Sequence, residues 1–192
     1  RGLNIMTIED PVEVELPKII QTQVNENVGL TFAKGLRSLL RNDPDVILVG
    51  EIRDSETAEI AVRAAMTGHL VISTVHANSP VGAIKRLTNL NVDPSLLSDC
   101  LLGVYSQRLV RVYCQDCRDQ SIISKSHSST LPVIFKGCKS CYNSGFKGRS
   151  PIMSHVEIDN KIAAMIETNP AEITISDTMH TEALELYKSG LT

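Results

Sequence analysis

Apolar positions in the first half of the chain fall in short, dense runs that end in polar clusters. Asp45-Val46-Ile47-Leu48-Val49-Gly50-Glu51-Ile52-Arg53-Asp54 holds four consecutive apolar residues and then turns acidic. Such a run fits a strand buried on both faces, as in a parallel sheet inside an α/β domain. Ile5-Met6-Thr7-Ile8 has the same form and leads into Glu9-Asp10-Pro11-Val12-Glu13, where Pro11 disfavours helix at Asp10. Gly68-His69 precedes a third run, Leu70-Val71-Ile72-Ser73-Thr74-Val75, which exits into His76-Ala77-Asn78.

Between these runs the pattern turns helical and the ends carry caps. Thr31 caps a predicted helix to about Arg41, stopped before Pro44. Asp54 or Ser55 caps Glu56 to Thr67, with Glu56 and Glu59 near the positive end and Gly68 as the stop. Ser79-Pro80 opens a helix to about Leu90, and Asp93-Pro94 opens a long one toward Val112. Strands then alternate with helices from Leu3 to Val112, the order of a parallel α/β sheet. Two short helices are predicted near the end, Asp159 to Thr168 and Thr178 to Ser189, with Gly190 as a stop.

Open α/β sheets bind ligands beyond the carboxyl ends of their strands. Glu9, Glu51 and His76 stand at three such ends and could converge on one polyphosphate. In nucleotide-hydrolysing folds an acid there handles Mg²⁺ and the attacking water. Taken singly, each has a plainer reading: an acidic turn after an ordinary strand, or a structural histidine.

The cysteines add a second chemistry. Cys114-Gln115-Asp116-Cys117 is followed, after twenty residues, by Cys138-Lys139-Ser140-Cys141. Two C-x2-C pairs at this distance match a structural four-thiolate zinc site. Two disulfides or a thioredoxin-like redox pair are the alternatives, and disulfides are disfavoured in a reducing compartment. A zinc hydrolase fits poorly, because catalytic zinc keeps an open position. Ser121 to Thr130, rich in Ser, Lys and His without apolar period, reads as a solvated loop closed by the metal. His127 lies within it as a possible ligand to a site that four cysteines already complete. Cys100, on the helix after Asp93, reads as a small buried residue.

Length suggests one domain plus an appendage. A net charge of -3, mixed along the chain, argues against a nucleic-acid surface or a polyanion-binding tail. Aromatic content of 4% without Trp leaves no base-stacking platform. No apolar stretch reaches transmembrane length, and no signal peptide is visible.

Three of these segments together carry a resemblance. Glu9-Asp10-Pro11-Val12-Glu13 resembles the acidic box of the type II secretion and type IV pilus assembly ATPases. Leu36-Arg37-Ser38-Leu39-Leu40-Arg41-Asn42-Asp43-Pro44-Asp45, continued to Asp54, looks like that family's Walker B region. Thr67-Gly68-His69-Leu70 through Thr74-Val75-His76-Ala77-Asn78 looks like its histidine box. The likeness runs from about Leu3 to at least Arg149. It implies a RecA-like P-loop NTPase core working as a cytoplasmic homo-hexamer at the inner membrane. Such a motor acts with platform proteins there, uses ATP and Mg²⁺, and contacts no nucleic acid directly.

The family's phosphate loop, Gly-x-x-x-x-Gly-Lys-Ser/Thr, occurs nowhere in these 192 residues. The chain therefore reads as an N-terminally truncated C-terminal part, inactive alone and with an apolar sheet edge exposed. The loop and an arginine-bearing N-terminal domain would precede Arg1.

The resemblance also implies roles. Glu51 orients the Mg²⁺ shell through water, since Gly50 stands where the Walker B Asp is usual. Glu9 positions or deprotonates the attacking water, with Glu13 as its competitor. Asp10 and Glu13 flank the nucleotide and metal, and Asp10 braces the loop. His76 senses the γ-phosphate, while His69, at the opposite end of its strand, serves packing or an interface. Arg37, Arg41, Arg108 and Arg111 are interface candidates or solvated helix residues. Assembly ATPases of this family often carry a tetracysteine zinc element, and their retraction relatives usually lack it. Gly145-Phe146-Lys147-Gly148-Arg149 matches the glycine-rich return to the core; Ser150 to His155 matches loosely, and the last stretch departs from the family's bundle. The organisation read from this is 1–112 ATPase core, 113–149 zinc element and 150–192 helical segment. A different class, a zinc-stapled docking module of a secretion, pilus or competence DNA-uptake machine without chemistry of its own, is the alternative.

Overall fold

The protein was analysed as a computed structural model that describes residues 2–118, 137–173 and 178–192. Its first sheet is parallel throughout, in the order β2 (Ile20–Gln23), β1 (Ile5–Glu9), β3 (Val46–Val49), β4 (Leu70–Ser73). The register pairs Thr7 with Leu48 and with Gln21, and Leu48 with Ile72. Helices α1 (Phe32–Leu39) and α2 (Ser55–Met66) are the crossovers that parallel pairing requires.

Side chains alternate across a strand, so each strand divides its residues between two faces. Met6, Ile8, Ile47 and Val49 form the face that packs with Leu36, Leu39, Ala58, Ala61 and Val62 of the helices, and all are buried. Gly35 permits this closeness, because a Cβ there would lie 2.5 Å from Ile8 Cδ1. The other face is less covered. Val46 and Leu48 are half-buried, and Leu70 and Ile72 on β4 are 45% and 49% exposed. The run Val46–Val49 is thus fully buried on its helix side alone, not on both faces as its composition suggests.

The caps fall where the sequence puts them. Thr31, Asp54, Ser79 and Asp159 each accept a backbone N–H at the start of α1, α2, α3 (Pro80–Asn89) and α6 (Asn160–Thr168). His69 Nδ1 lies 2.9 Å from the Ala64 carbonyl at the far end of α2, so it closes that helix. The long helix predicted from Asp93 toward Val112 is replaced by a short one and a strand. α4 (Pro94–Cys100) ends early, and β5 (Gly103–Tyr113) pairs with β6 (Phe146–Glu157) in a second sheet. Gly103 opposes continuation of the helix, and the β-branched and aromatic content of Val104, Tyr105, Val110, Val112 and Tyr113 favours the strand. Cys100, the last residue of α4, is half-buried rather than buried.

The chain divides into two compact units, Arg1–Val104 with Val156–Ile175, and Tyr105–His155 with Ser176–Thr192. In the first, α4 packs on α6, and Ile84, Leu97, Ile166 and Ile173 complete the core. The second holds most of β5 and β6, a short helix α5 (Gln115–Arg118), the two cysteine pairs and α7 (Met179–Lys188). There Glu182 on α7 accepts the Met153 N–H of β6 at 2.6 Å, and Leu191 accepts the Tyr113 N–H of β5 at 2.9 Å. The loop Ser121 to Thr130, including His127, lies outside the described residues.

Asp54 binds Thr57 twice, accepting its N–H at 2.8 Å and its hydroxyl at 2.9 Å, and Thr57 is fully buried. Asp54→Ala is therefore expected to cost about 1 kcal/mol of stability in urea unfolding, and Asp54→Asn markedly less. Equal midpoints for all three proteins would refute this account of the α2 start.

Candidate functional site

Hydrogen bonds continue past the strands and fix the loops that leave them. Gly50 N–H donates to Ile8 O at 2.8 Å, Val24 N–H to Glu9 O at 2.8 Å and Ile52 N–H to Thr74 O at 3.0 Å. The Thr74 hydroxyl donates to Gly50 O at 2.6 Å. Gly50 sits where two backbones nearly touch. A Cβ there would lie 3.2 Å from Ile8 O and 3.3 Å from Glu9 Cα, and backbone atoms cannot easily give way.

This bracing aims the side chain of the next residue. The Glu51 side chain is only 13% exposed and is ion-paired through Oε1 to Arg53 Nη2. Its Oε2 lies 3.2 Å from His76 Nε2, off line for a hydrogen bond. Arg53 also reaches toward Asp10, with Nη1 3.9 Å from Oδ2. The hydrogen-bonded Arg53 guanidinium holds the Glu51 carboxyl below its ordinary pKa, against the opposing effect of burial, and His76 adds to the lowering. Reciprocally, Glu51 raises Arg53. The structure so links Glu51 and Asp10 through Arg53, a residue to which the sequence reading gave no role, and sets His76 against the other oxygen of Glu51. The signal for Arg53 was available: a cation two positions after a strand-end acid.

Glu9 belongs to a different neighbourhood. It shares the sheet face of Thr7, whose hydroxyl donates to Glu9 Oε1, and Gln21 Nε2 donates to the same oxygen at 3.0 Å. Among the described residues no hydrogen bond or ion pair joins Glu9 to Glu51 or His76. Glu13 is exposed on the loop after Pro11. Asp10 lines an open polar cleft with Gln23, Val24, Asn25, Glu26 and Asn27. Of the arginines, Arg37 pairs with Glu56 at 2.8 Å on the surface, and Arg111 sits 4.1 Å over the Phe146 ring.

The second unit brings all four paired cysteines together. Every Sγ of Cys114, Cys117, Cys138 and Cys141 lies within 4.8 Å of the others. Three separations, Cys114–Cys138, Cys117–Cys141 and Cys138–Cys141, are 3.9, 3.9 and 3.8 Å. No disulfide is present, since a bonded pair would be about 2.05 Å apart. Four sulfurs about 2.3 Å from a central ion form a tetrahedron with edges of about 3.8 Å. The cluster therefore fits a tetrahedral thiolate-bound metal. Cys141 Sγ accepts N–H groups from Cys138 at 3.1 Å and Gly145 at 3.3 Å, and the Cys138 N–H lowers its pKa. Burial pushes the Cys117 thiol up.

A protein-family model described as "Type II/IV secretion system protein" matches residues 1–192. Type II secretion system protein E of Klebsiella pneumoniae is 47% identical over 99% of this chain and 40% of its own length. The type IV pilus assembly ATPase PilB of Thermus thermophilus is 44% identical over 98% of this chain and 22% of its own. Among solved structures, the pilus retraction motor PilT with bound ADP superposes with a TM-score of 0.70 at 32% identity. It is covered over 50% of its chain by 100% of this one. The ATPase DotB of Yersinia pseudotuberculosis, at 20% identity and a TM-score of 0.67 over 98% of this chain and 46% of its own, shares the fold. The chain spans about two fifths of the length of the curated secretion relatives, 40% for the Klebsiella protein. With its parallel sheet, its strand-end acids and its match along the whole length, the chain belongs to the type II/IV secretion system protein family.

Proposed function

We propose that these residues work as the C-terminal portion of a cytoplasmic, hexameric ATPase motor, peripheral to the inner membrane. The motor couples ATP hydrolysis to assembly of a type II secretion pseudopilus or a type IV pilus. The observation that carries this reading is the meeting of Glu51, His76 and Asp10 at the carboxyl ends of parallel strands. A docking module without chemistry has no need of such a cluster. The identities of 44–47% to secretion and pilus-assembly proteins, against 32% to a retraction motor, support the assembly direction.

The roles follow from charge. Glu51, kept ionised by Arg53, is the group that would hold the water shell of Mg²⁺, and that ion would neutralise phosphate charge. Glu9 positions or deprotonates the attacking water, with Glu13 as the competing acid. His76, 85% exposed and beside Glu51, would sense a γ-phosphate by a hydrogen bond. Asp10 braces the Arg53 side of the cluster. Cys114, Cys117, Cys138 and Cys141 would hold a structural zinc whose part is to fix the second unit, not to react. The phosphate-loop pattern that places a lysine and loop amides around phosphate in P-loop enzymes does not occur in these residues.

In the full-length protein, Glu51→Gln should keep ATP binding and lower turnover by about a hundredfold or more, as losing one preorganised electrostatic group does. Glu9→Gln should act similarly and Asp10→Asn less; near-normal turnover in both glutamate variants would sink these roles. Elemental analysis of protein purified without added metal should find about one zinc per chain, and Cys114→Ser should lower it. Thiols recovered as disulfides with little zinc would contradict the site. The 192-residue chain by itself should show no ATP hydrolysis beside the full-length protein. Comparable Mg²⁺-dependent turnover by both would mean that the nucleotide site is elsewhere.

A further inference from the structure

Gln21 lies on β2 opposite Thr7, two register positions before the level of Glu9. Its amide nitrogen donates twice and its oxygen accepts once. Nε2 donates to Glu9 Oε1 at 3.0 Å and to Val14 O at 3.0 Å, and Oε1 accepts the Leu16 N–H at 2.7 Å. One side chain so ties the strand-end carboxylate to the backbone of the loop that follows it. Gln23 adds a weaker tie, accepting the Val12 N–H at 3.3 Å.

From this geometry we infer that Gln21 is a positioning residue for Glu9. The inference rests on the reading of Glu9 as the group that acts on the attacking water. A free carboxylate turns readily about its last torsion. Here Thr7 and Gln21 both donate to Oε1, which fixes the plane of the group. Among the described residues no donor reaches Oε2, so that oxygen keeps its lone pairs for a water proton. Holding a base in a productive orientation before reaction removes an entropic part of the barrier.

The residue type suits the task. A lysine at position 21 would pair with Glu9 and weaken it as a base. A glutamate would repel it. An aliphatic side chain would leave both the carboxylate and the loop untied. Only a neutral amide of this length donates twice and accepts once.

The experiment uses the full-length ATPase. Gln21→Met keeps size and removes every hydrogen bond; Gln21→Glu keeps the acceptor for Leu16 and loses the donor to Glu9. Each should lower kcat about tenfold or more while KM for ATP stays within about twofold, the signature of lost orientation rather than lost binding. Added to Glu9→Gln, either change should lower kcat no further, because the group being positioned is gone. A kcat within twofold of wild type for a folded Gln21→Glu protein, or losses that multiply in the double variant, would overturn the inference. If Glu9→Gln itself turns over normally, the reading of Glu9 fails and this inference falls with it. An inactive Glu9→Gln beside fully active Gln21 variants overturns the positioning role alone.

Discussion

Parallel pairing in one register is the constraint on which the site depends. β1, β3 and β4 run side by side, with Ile8 paired to Val49 and Val49 to Ser73, so their carboxyl ends leave the sheet at the same level. Backbone bonds from Gly50, Val24 and Ile52 extend that pairing one to three residues past the strand ends. Glu51 therefore stands between two hydrogen-bonded backbone N–H groups, those of Gly50 and Ile52, and Glu9 on a carbonyl bonded to Val24. The lack of a Cβ at Gly50 belongs to the same constraint, since β1 and β3 close to contact distance exactly where the loop begins.

Placed there, Glu51 faces two opposing effects. Burial disfavours its charge, and Arg53 restores it. Because the folded pKa is lowered, the pair stabilises the fold above the ordinary carboxylate range near 4.5 and loses that effect as pH falls below it. Arg53 and His76 are themselves largely exposed, so solvent screens their side of the interaction. The arrangement contributes less to stability than to direction. It keeps a largely buried anion beside an exposed histidine, with Asp10 on the flank of Arg53.

What could be read from the sequence was local. Thr31, Asp54, Ser79 and Asp159 announce helix starts within a single turn of chain, and the Val46–Val49 run announces a strand by composition alone. The strand β2 gives no such signal. Three of the four residues of Ile20-Gln21-Thr22-Gln23 are polar, and it becomes a strand because β1 offers an open edge. The segment after Asp93 misled for a related reason. Its opening cap and proline are real, but β6, more than thirty residues later, claims Gly103–Tyr113 as a partner. The same limit applied to the site. Glu9 ends its strand and Glu51 lies just past one, yet the pleat sends Glu9 to the face of Thr7 and Gln21, a division visible only once the register is known.

The cysteine cluster shows the opposite case, long-range geometry declared by short-range spacing. Each pair makes its own tight turn, and Cys138 and Cys141 exchange backbone and sulfur contacts within it. What the spacing leaves unstated is charge. Sulfurs 3.8–3.9 Å apart repel strongly if all are thiolates, and buried thiolates without a counter-charge are costly. Two backbone N–H groups relieve this at Cys141, while burial pushes Cys117 toward its neutral form. The protein supplies the shape of a tetrahedron and only part of its electrostatics. A divalent cation would supply the rest, and with it a reason for two pairs twenty residues apart to behave as one structural element.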